Sequence, residues 1–326
     1  MNERIVPPPI VSADALRVAI GYEDLIEPVS RAFQVSSAGR AQNGLLVLRP
    51  GENTERGDVY VKSGVIRGER VFVVKVAPWF AANVDSGEPQ GGSVAVFDAA
   101  TGHTRAILDE QHYLSDIRTA AAGALAARVL APAAVTTGAV LGSGVQAYWQ
   151  SLALYRERPF ERLLVWARSA SKGEALIGKL RARLPHVAIS AAASVEAAVR
   201  GANVIITATV AREPLVRGDW LQPGQHITAV GADDASKCEV DATVLNRGRV
   251  FVDDRATNLA YGDVYRAVAA GAFDPDALAG ELGEVLAGSV PGRLGAEDIT
   301  VAKLVGVGVQ DVAAAQAALE KLGLLQ

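Results

Sequence analysis

The chain has 326 residues, half of them hydrophobic and 21% charged, with a formal net charge of −4. That length supports two domains around a sizeable core, and the missing basic excess argues against a nucleic-acid partner. One cysteine, Cys238, excludes a disulfide framework or multi-cysteine zinc site and fits a reducing compartment. The four scattered histidines (His103, His112, His186 and His226) show no metal-binding spacing.

The opening MNERIVPPPI lacks the basic start and apolar core of a signal peptide. The uncharged stretch from Val129 to Tyr155 is long enough for a membrane span, but Pro132 and its glycines divide it into helix end, strand and turn. A soluble cytoplasmic protein without a membrane partner is expected.

From Ser12, ADALRVAIGYEDLIEPVSRAFQVSSAG has apolar residues at helical spacing, which predicts two short amphipathic helices broken at Gly21. Between Leu45 and Phe97 the runs LLVL, DVYVKSGVI, RVFVVKVAP and GSVAVFDAATG change the pattern, and TRAILDE continues it. They predict a mainly antiparallel sheet with the helices on one face. From Leu114, LSDIRTAAAGALAARVLAP is strongly helix-forming and is closed by Pro132.

The stretch VTTGAVLGSGVQAYWQSLALYRE follows. A short apolar run, Ala139 to Leu141, meets a sharp turn through Gly142, Ser143 and Gly144, then helix-compatible residues from Val145 to Tyr155. Gly142 allows the turn, and Gly144 lets the backbone approach a pyrophosphate. The helix start offers unpaired N–H groups, and Ala147 takes the third fingerprint position. Alone the match is weak, but the units after it alternate: RLLVWARS, SKGEALIGKLRARL, VAISAAA, SVEAAVRG, NVIITAT, HITAVGA and RVFVDD. Such alternation implies a parallel, doubly wound sheet and makes the turn a dinucleotide site.

Past Asp254 the chain reads as helices and loops, DVYRAVAAGAF and ELGEVLAGSVPGR. DITVAKLVGVGVQD is then an extended piece and turn before a final helix, VAAAQAALEKLGLL. The expected fold class is α/β: a Rossmann-type doubly wound parallel sheet over 118–302, inserted into a discontinuous α+β domain formed by 1–117 and 303–326.

Where NAD is bound, an acid normally follows the second strand to hold the ribose 2′-OH. Here LLVW leads into Ala167, Arg168, Ser169, Ala170, Ser171 and Lys172, with no acid until Glu174. Arg168, Ser169 and Lys172 suit a 2′-phosphate, so NADP(H) is favoured with NAD(H) left open.

Several pieces in this order resemble the ornithine cyclodeaminase and mu-crystallin family: VVKVAP, LSDIRTAAAGALAARVLAP, GSGVQA, VWARS, ITATVAREPL, HITAVGADDASKCEVD, ELGEVLAGSVPGR and VGVGVQD. The resemblance, from about Lys75 to Asp311, implies a Rossmann domain for NAD(P), a separate substrate domain that forms a homodimer, and hydride transfer between amino acids and imines. Carried over residue by residue, Lys75 and Arg118 match the cations that hold the substrate carboxylate, and Asp233 matches the acid that handles the substrate nitrogen. Asp234 stands beside it. Ser143, Val145 and Gln146 are implied over the pyrophosphate with Gly142 and Gly144. Thr207 and Thr209 approach the nicotinamide side, Val230 and Gly231 line the crevice, and Lys303 and Gly306 to Gly308 return to the cleft.

Members usually carry Pro-x-Arg near the first strands. This chain has AQNGLLVLRP, so Arg49 is a third candidate anchor and Lys62 a further basic candidate. The reading is an NAD(P)H-dependent imine reductase or amino acid dehydrogenase. A cyclodeaminase with internally recycled NAD, or a non-catalytic NADPH and small-ligand binder, is the alternative.

Overall fold

A computed structural model describes residues 7–50, 57–88 and 90–325. The opening MNERIV, on which the signal-peptide reading rests, lies outside the described residues. The chain divides into two units, Met1–Arg118 with Val307–Gln326, and Thr119–Gly306.

The first unit runs through β1 (Ile10–Ser12), α1 (Ala13–Ala19), α2 (Tyr22–Ser37), β2 (Ala41–Leu48), β3 (Gly57–Ile66), β4 (Val71–Phe80), α3 (Ala81–Ser86), β5 (Ser93–Asp98) and β6 (Thr104–Asp109). Helix α4 (Tyr113–Leu130) contains the division point. The second unit continues with β7 (Thr137–Leu141), α5 (Val145–Glu157), β8 (Arg162–Trp166), α6 (Ala170–Arg183), β9 (Ala188–Ala191), α7 (Val195–Arg200), β10 (Val204–Thr207) and β11 (His226–Ala229). It ends with α8 (Ala242–Arg247), β12 (Arg249–Val252), α9 (Arg255–Asn258), α10 (Gly262–Ala269), β13 (Gly280–Glu281), α11 (Leu282–Leu286) and β14 (Thr300–Lys303). The closing helix, α12 (Gly308–Lys321), belongs to the first unit.

Among the described residues the first unit holds one sheet in the order β1-β6-β5-β4-β3-β2, antiparallel except for the β1–β6 pair. Its alternation follows the strand period: β3 buries Tyr60, Lys62, Gly64 and Ile66, and β4 buries Val71, Val73, Lys75 and Ala77. Two lysines thus occupy core positions. Helix α2 buries Leu25, Ile26, Val29 and Phe33, and packs with α12.

At Gly308 the α12 backbone comes so close to β3 that an added Cβ would lie 1.9 Å from the Ser63 carbonyl oxygen, and one at Gly64 would lie 2.3 Å from the Gly308 oxygen. Only paired glycines permit that approach. The helix begins four residues before the expected VAAAQ, because Gln310 reaches back to accept the Val307 N–H at 2.8 Å. Sequence patterning also misses β1, a three-residue strand created by pairing beside Ile107–Asp109.

The second unit carries a wholly parallel sheet in the order β13-β12-β14-β11-β10-β7-β8-β9. The chain runs outward from β7 through β8 to β9, then returns to place β10 on the other flank of β7. That reversal is a topological switch point, the place where such sheets receive nucleotides. Strand β14 pairs with β11 and β12, so Lys303 and the residues up to Gly306 lie with the parallel unit and not with the closing helix.

Replacing Gly308 by Ala forces a methyl into the Ser63 carbonyl. Denaturant unfolding is expected to show a loss of about 1–3 kcal/mol, and an unchanged midpoint would show that the two backbones separate at no cost.

Candidate active site

In the first unit, α12 lays Gln310 and Asp311 over the lysine-bearing face of β3 and β4. Lys75, 1% exposed, donates from Nζ to Asp311 Oδ1 at 2.7 Å and to Ser115 Oγ at 3.0 Å. The Ser115 hydroxyl donates in turn to Glu110 Oε1 at 2.8 Å, and its N–H to Oε2 at 2.7 Å, which fixes the first turn of α4. Arg118 projects from that helix and donates through Nη1 to Gln310 Oε1 at 3.0 Å. Its Nε lies 3.2 Å from Asp311 Oδ1 but makes no hydrogen bond, and Asp311 Oδ2 is likewise buried without one.

Burial pushes the Lys75 ammonium down from its usual range against the pull of Asp311. Burial also pushes the Asp311 carboxyl up, but Lys75, Arg118 and Lys62 outweigh it and hold that carboxyl below the usual range. His112 is lowered mainly by burial, and its Nε2 is 2.9 Å from the Pro78 carbonyl. Gln111 and His112 both adopt positive φ, 47° and 65°, a strained corner that aims α4 at the cluster. Arg49 lies outside this group, half-exposed, with Nε 3.5 Å from Asp58.

In the second unit the turn after β7 has the form its sequence predicts. Gly142 has φ +130°, and a Cβ there would lie 2.3 Å from the Ala208 oxygen. Gly144 caps α5 with no side-chain hydrogen bond to the helix, and a Cβ there would meet nothing within 4 Å. The space above Gly144 and the uncapped N–H groups beside it fit a pyrophosphate. Ser143, Val145 and Gln146 flank this turn, while Ala147 is fully buried beneath it. At the tip of β8, Ser169 caps α6 by accepting the Lys172 N–H at 3.4 Å and lies 3.1 Å from Ser171 Oγ; Arg168 and Lys172 are exposed.

Thr207, Thr209 and Gly231 converge on a group that sequence reasoning misses, the buried carboxylate of Glu239. It accepts from Thr207 Oγ1 (2.8 Å), Thr209 N (2.6 Å), Thr209 Oγ1 (2.9 Å) and Gly231 N (2.7 Å), which ties the ends of β10 and β11 together beside buried Val230. Lys303 is elsewhere: its ammonium is fully buried 3.2 Å from Asp263 Oδ2. Asp263 Oδ1 accepts the N–H groups of Glu239 and Val240. Gly306 donates its N–H to buried Asp253 at 2.6 Å.

Adjacent Asp233 and Asp234 are separated by their surroundings. Asp234 is buried and accepts from Ser236 N, Ser236 Oγ and Lys237 N, closing its own loop. The Asp233 side chain keeps 31% exposure and accepts from Lys237 Nζ at 2.5 Å. Burial pushes the Cys238 thiol up to about 12, too high for a thiolate nucleophile.

Among the described residues no helix is long and apolar enough to cross a membrane, and no cluster of three or more His, Cys, Asp or Glu could hold a metal ion. A glycine turn at the switch point of a doubly wound sheet puts the second unit in the Rossmann class. The chain belongs to the ornithine cyclodeaminase/mu-crystallin family, whose profile matches residues 9–323. It is 38% identical over 301 residues, 91% of its length and 90% of the other's, to an uncharacterized cyclodeaminase of Sinorhizobium fredii. Its structure is similar to that of a Thermococcus litoralis Δ1-pyrroline-2-carboxylate reductase in complex with NADH and L-proline, with TM-score 0.90, 27% identity and 96% of each chain covered. It is also similar to the iminosuccinate reductase of Paracoccus denitrificans in complex with NAD+, with TM-score 0.87, 28% identity and 98% of each chain covered.

Asp311→Asn leaves the buried cations of this cluster without their shared carboxylate. The expected loss at pH 7 is about 3 kcal/mol in urea unfolding. Because the folded carboxyl titrates below its unfolded value near 3.9, its contribution is present above that value and disappears as pH falls through the folded one. The gap between wild type and variant should therefore close only below about pH 4, and a gap independent of pH would show that packing, not charge, is lost.

Proposed function

We propose that this protein is an NAD(P)(H)-dependent oxidoreductase acting on C–N bonds, which reduces a small 2-imino acid or oxidises the matching 2-amino acid at the α-carbon. The observation that carries the reading is the buried set of Lys75 and Arg118 around one carboxylate, with polar atoms of Arg118 and Asp311 left without hydrogen bonds. Buried unsatisfied charge is costly and is retained where a ligand completes it.

The bound coenzyme supplies or accepts the hydride. Lys75 and Arg118 hold the substrate carboxylate, the ammonium as a point charge and the guanidinium as a planar donor, and so fix the position of the α-carbon. Asp233 stabilises the iminium or moves a proton to and from the substrate nitrogen. Its partial exposure and its lysine partner suit that role better than the closed loop of Asp234. The glycine turn and α5 N-terminus take the pyrophosphate, and Glu239 keeps Thr207, Thr209 and Gly231 in place on the nicotinamide side. Arg49 is engaged by Asp58 and Lys303 by Asp263, so neither is assigned a ligand.

NADP(H) is proposed over NAD(H), on Arg168 and Lys172 at the tip of β8, although the two similar structures hold NADH and NAD+. We place the protein in the cytoplasm as a homodimer. Leu46 and Leu48 are exposed on the edge strand β2, a row that a second copy would cover.

The test is a panel of pyruvate, glyoxylate and oxaloacetate with ammonia or methylamine, together with cyclic imino acids, each with NADPH and NADH. Coenzyme oxidation with at least one is expected; none with any would overturn the reading. Asp233→Asn should bind coenzyme as wild type by fluorescence titration while kcat falls at least about 100-fold, and full activity would remove Asp233 from its role. The double change Arg168→Ala and Lys172→Ala should raise KM for NADPH at least about tenfold relative to NADH, the worth of one charged hydrogen bond. An unchanged ratio would return the preference to NAD(H).

A further inference from the structure

The cation cluster of the first unit leaves donors and an acceptor without bonds, and that mixture defines the ligand that completes it. An ammonium has three N–H donors. Among the described residues the Lys75 ammonium uses two of them, on Asp311 Oδ1 at 2.7 Å and on Ser115 Oγ at 3.0 Å, so a third is left. Arg118 approaches the same Oδ1 at 3.2 Å, and its Nε makes no hydrogen bond. The other carboxylate oxygen, Asp311 Oδ2, is also buried without a bond, in a residue 3% exposed. Spare donors and a spare acceptor thus meet at one buried carboxylate, where bare polar groups are costly.

A carboxylate alone completes only part of this set. Its oxygens accept from Lys75 and Arg118, but it has no donor for Oδ2, and two carboxylates close together in a dry site repel. A nitrogen bearing hydrogen on the neighbouring carbon supplies both the donor and a compensating positive charge. The ammonium of a 2-amino acid and the protonated nitrogen of a 2-imino acid each provide it, whereas a 2-oxo acid turns a carbonyl oxygen, a second acceptor, toward Oδ2. Burial pushes the Asp311 carboxyl up, yet Lys75, Arg118 and Lys62 outweigh it and hold the carboxyl below its usual range. At neutral pH Asp311 therefore accepts a hydrogen bond and supplies no proton.

We propose that Asp311 recognises the substrate nitrogen, with Oδ2 accepting an N–H of a 2-amino or 2-iminium acid whose carboxylate is held by Lys75 and Arg118; the inference rests on the carboxylate-binding role given to those two cations above. Asp311 is then a specificity residue as well as the organiser of the cations. It separates an iminium acid from the 2-oxo acid of the same carbon skeleton, which shares the carboxylate but offers no N–H. The protein therefore takes up an imine already formed, in preference to a free 2-oxo acid that meets ammonia in the site. Proton movement stays with Asp233, and Asp311 fixes the nitrogen while it occurs.

The test is calorimetry of the full chain with reduced coenzyme present, comparing L-alanine with propionate, the same skeleton without the nitrogen. Neither ligand can accept a hydride, so only binding is read. Wild type should bind L-alanine at least about tenfold more tightly than propionate, and Asp311→Asn should remove that preference. Propionate should bind Asp311→Asn as well as wild type or better, because a repelling carboxylate is gone. Equal affinities in wild type, a preference that survives in Asp311→Asn, or an equal loss of both ligands in that variant overturns the assignment. If wild type binds neither ligand, the carboxylate-binding role of Lys75 and Arg118 fails and the assignment falls with it. Propionate binding with no gain for L-alanine, by contrast, upholds those cations and removes Asp311 alone. Should Asp311→Asn unfold, the two ligands are compared in Asp233→Asn: a preference kept there upholds Asp311, and one lost there gives the nitrogen to Asp233 and overturns the assignment.

Discussion

The close approach of two glycine backbones, Gly64 in β3 and Gly308 at the start of α12, sets the geometry of the cation cluster. With no Cβ on either side, the first turn of the helix rests directly on the strand, and residues two and three positions later reach the buried face of the sheet. Those residues are Gln310 and Asp311. Gln310 has two tasks through one oxygen, capping the helix by accepting the Val307 N–H and accepting from Arg118. Asp311 meets Lys75 and approaches Arg118. A helix held off by even one methyl would stretch the 2.7 Å contact between Lys75 and Asp311 beyond hydrogen-bonding distance.

The parallel unit uses a carboxylate in a comparable way. Strands β10 and β11 end side by side, and the chain beyond each must turn without a regular ladder to hold it. Glu239 supplies the missing acceptors, binding two hydroxyls and two backbone N–H groups from both strand ends. Gly231 must be glycine here, since a Cβ would lie 2.5 Å from that carboxylate and 2.2 Å from the Thr209 oxygen. Asp263 then holds Glu239 by its backbone and is itself paired with Lys303. This chain of buried charges explains why Lys303, a candidate coenzyme contact carried over from the resemblance, is engaged within the unit.

Local patterns made much of the architecture legible. Alternating strand and helix lengths announced the doubly wound sheet, the glycine turn appeared at its switch point, and period-2 runs marked β2 to β6. Elements that depend on distant partners left no such trace. Strand β1 exists because β6 lies beside it, β13 is two residues paired with β12, and the early start of α12 depends on a Gln310 cap that the run VGVGVQD disguises as extended chain. The candidate site divides along the same line. Lys75 and Arg118 could be carried over from a resemblance, but Asp311 and Glu239 are acids whose importance comes from groups 236 and 30 positions away. One signal was available: a lysine at an inward position of two successive predicted strands, in DVYVKSG and VVKVAP, is a core charge in need of a partner.

A stability argument alone would not keep that arrangement. Replacing a buried ionic group by apolar residues of similar volume is often neutral or stabilising, and β3 and β4 otherwise present valine, isoleucine, alanine, glycine and tyrosine to the core. Two lysines face each other instead, with an arginine beside them and one carboxylate of α12 between. That carboxylate organises the cations: it accepts from Lys75 and lies within ion-pair distance of Arg118, while the other acid, Glu110, is engaged by Ser115. Cations held in fixed positions around one carboxylate in a dry site, with Arg118 Nε and Asp311 Oδ2 left without hydrogen bonds, are suited to bind an anion in one orientation.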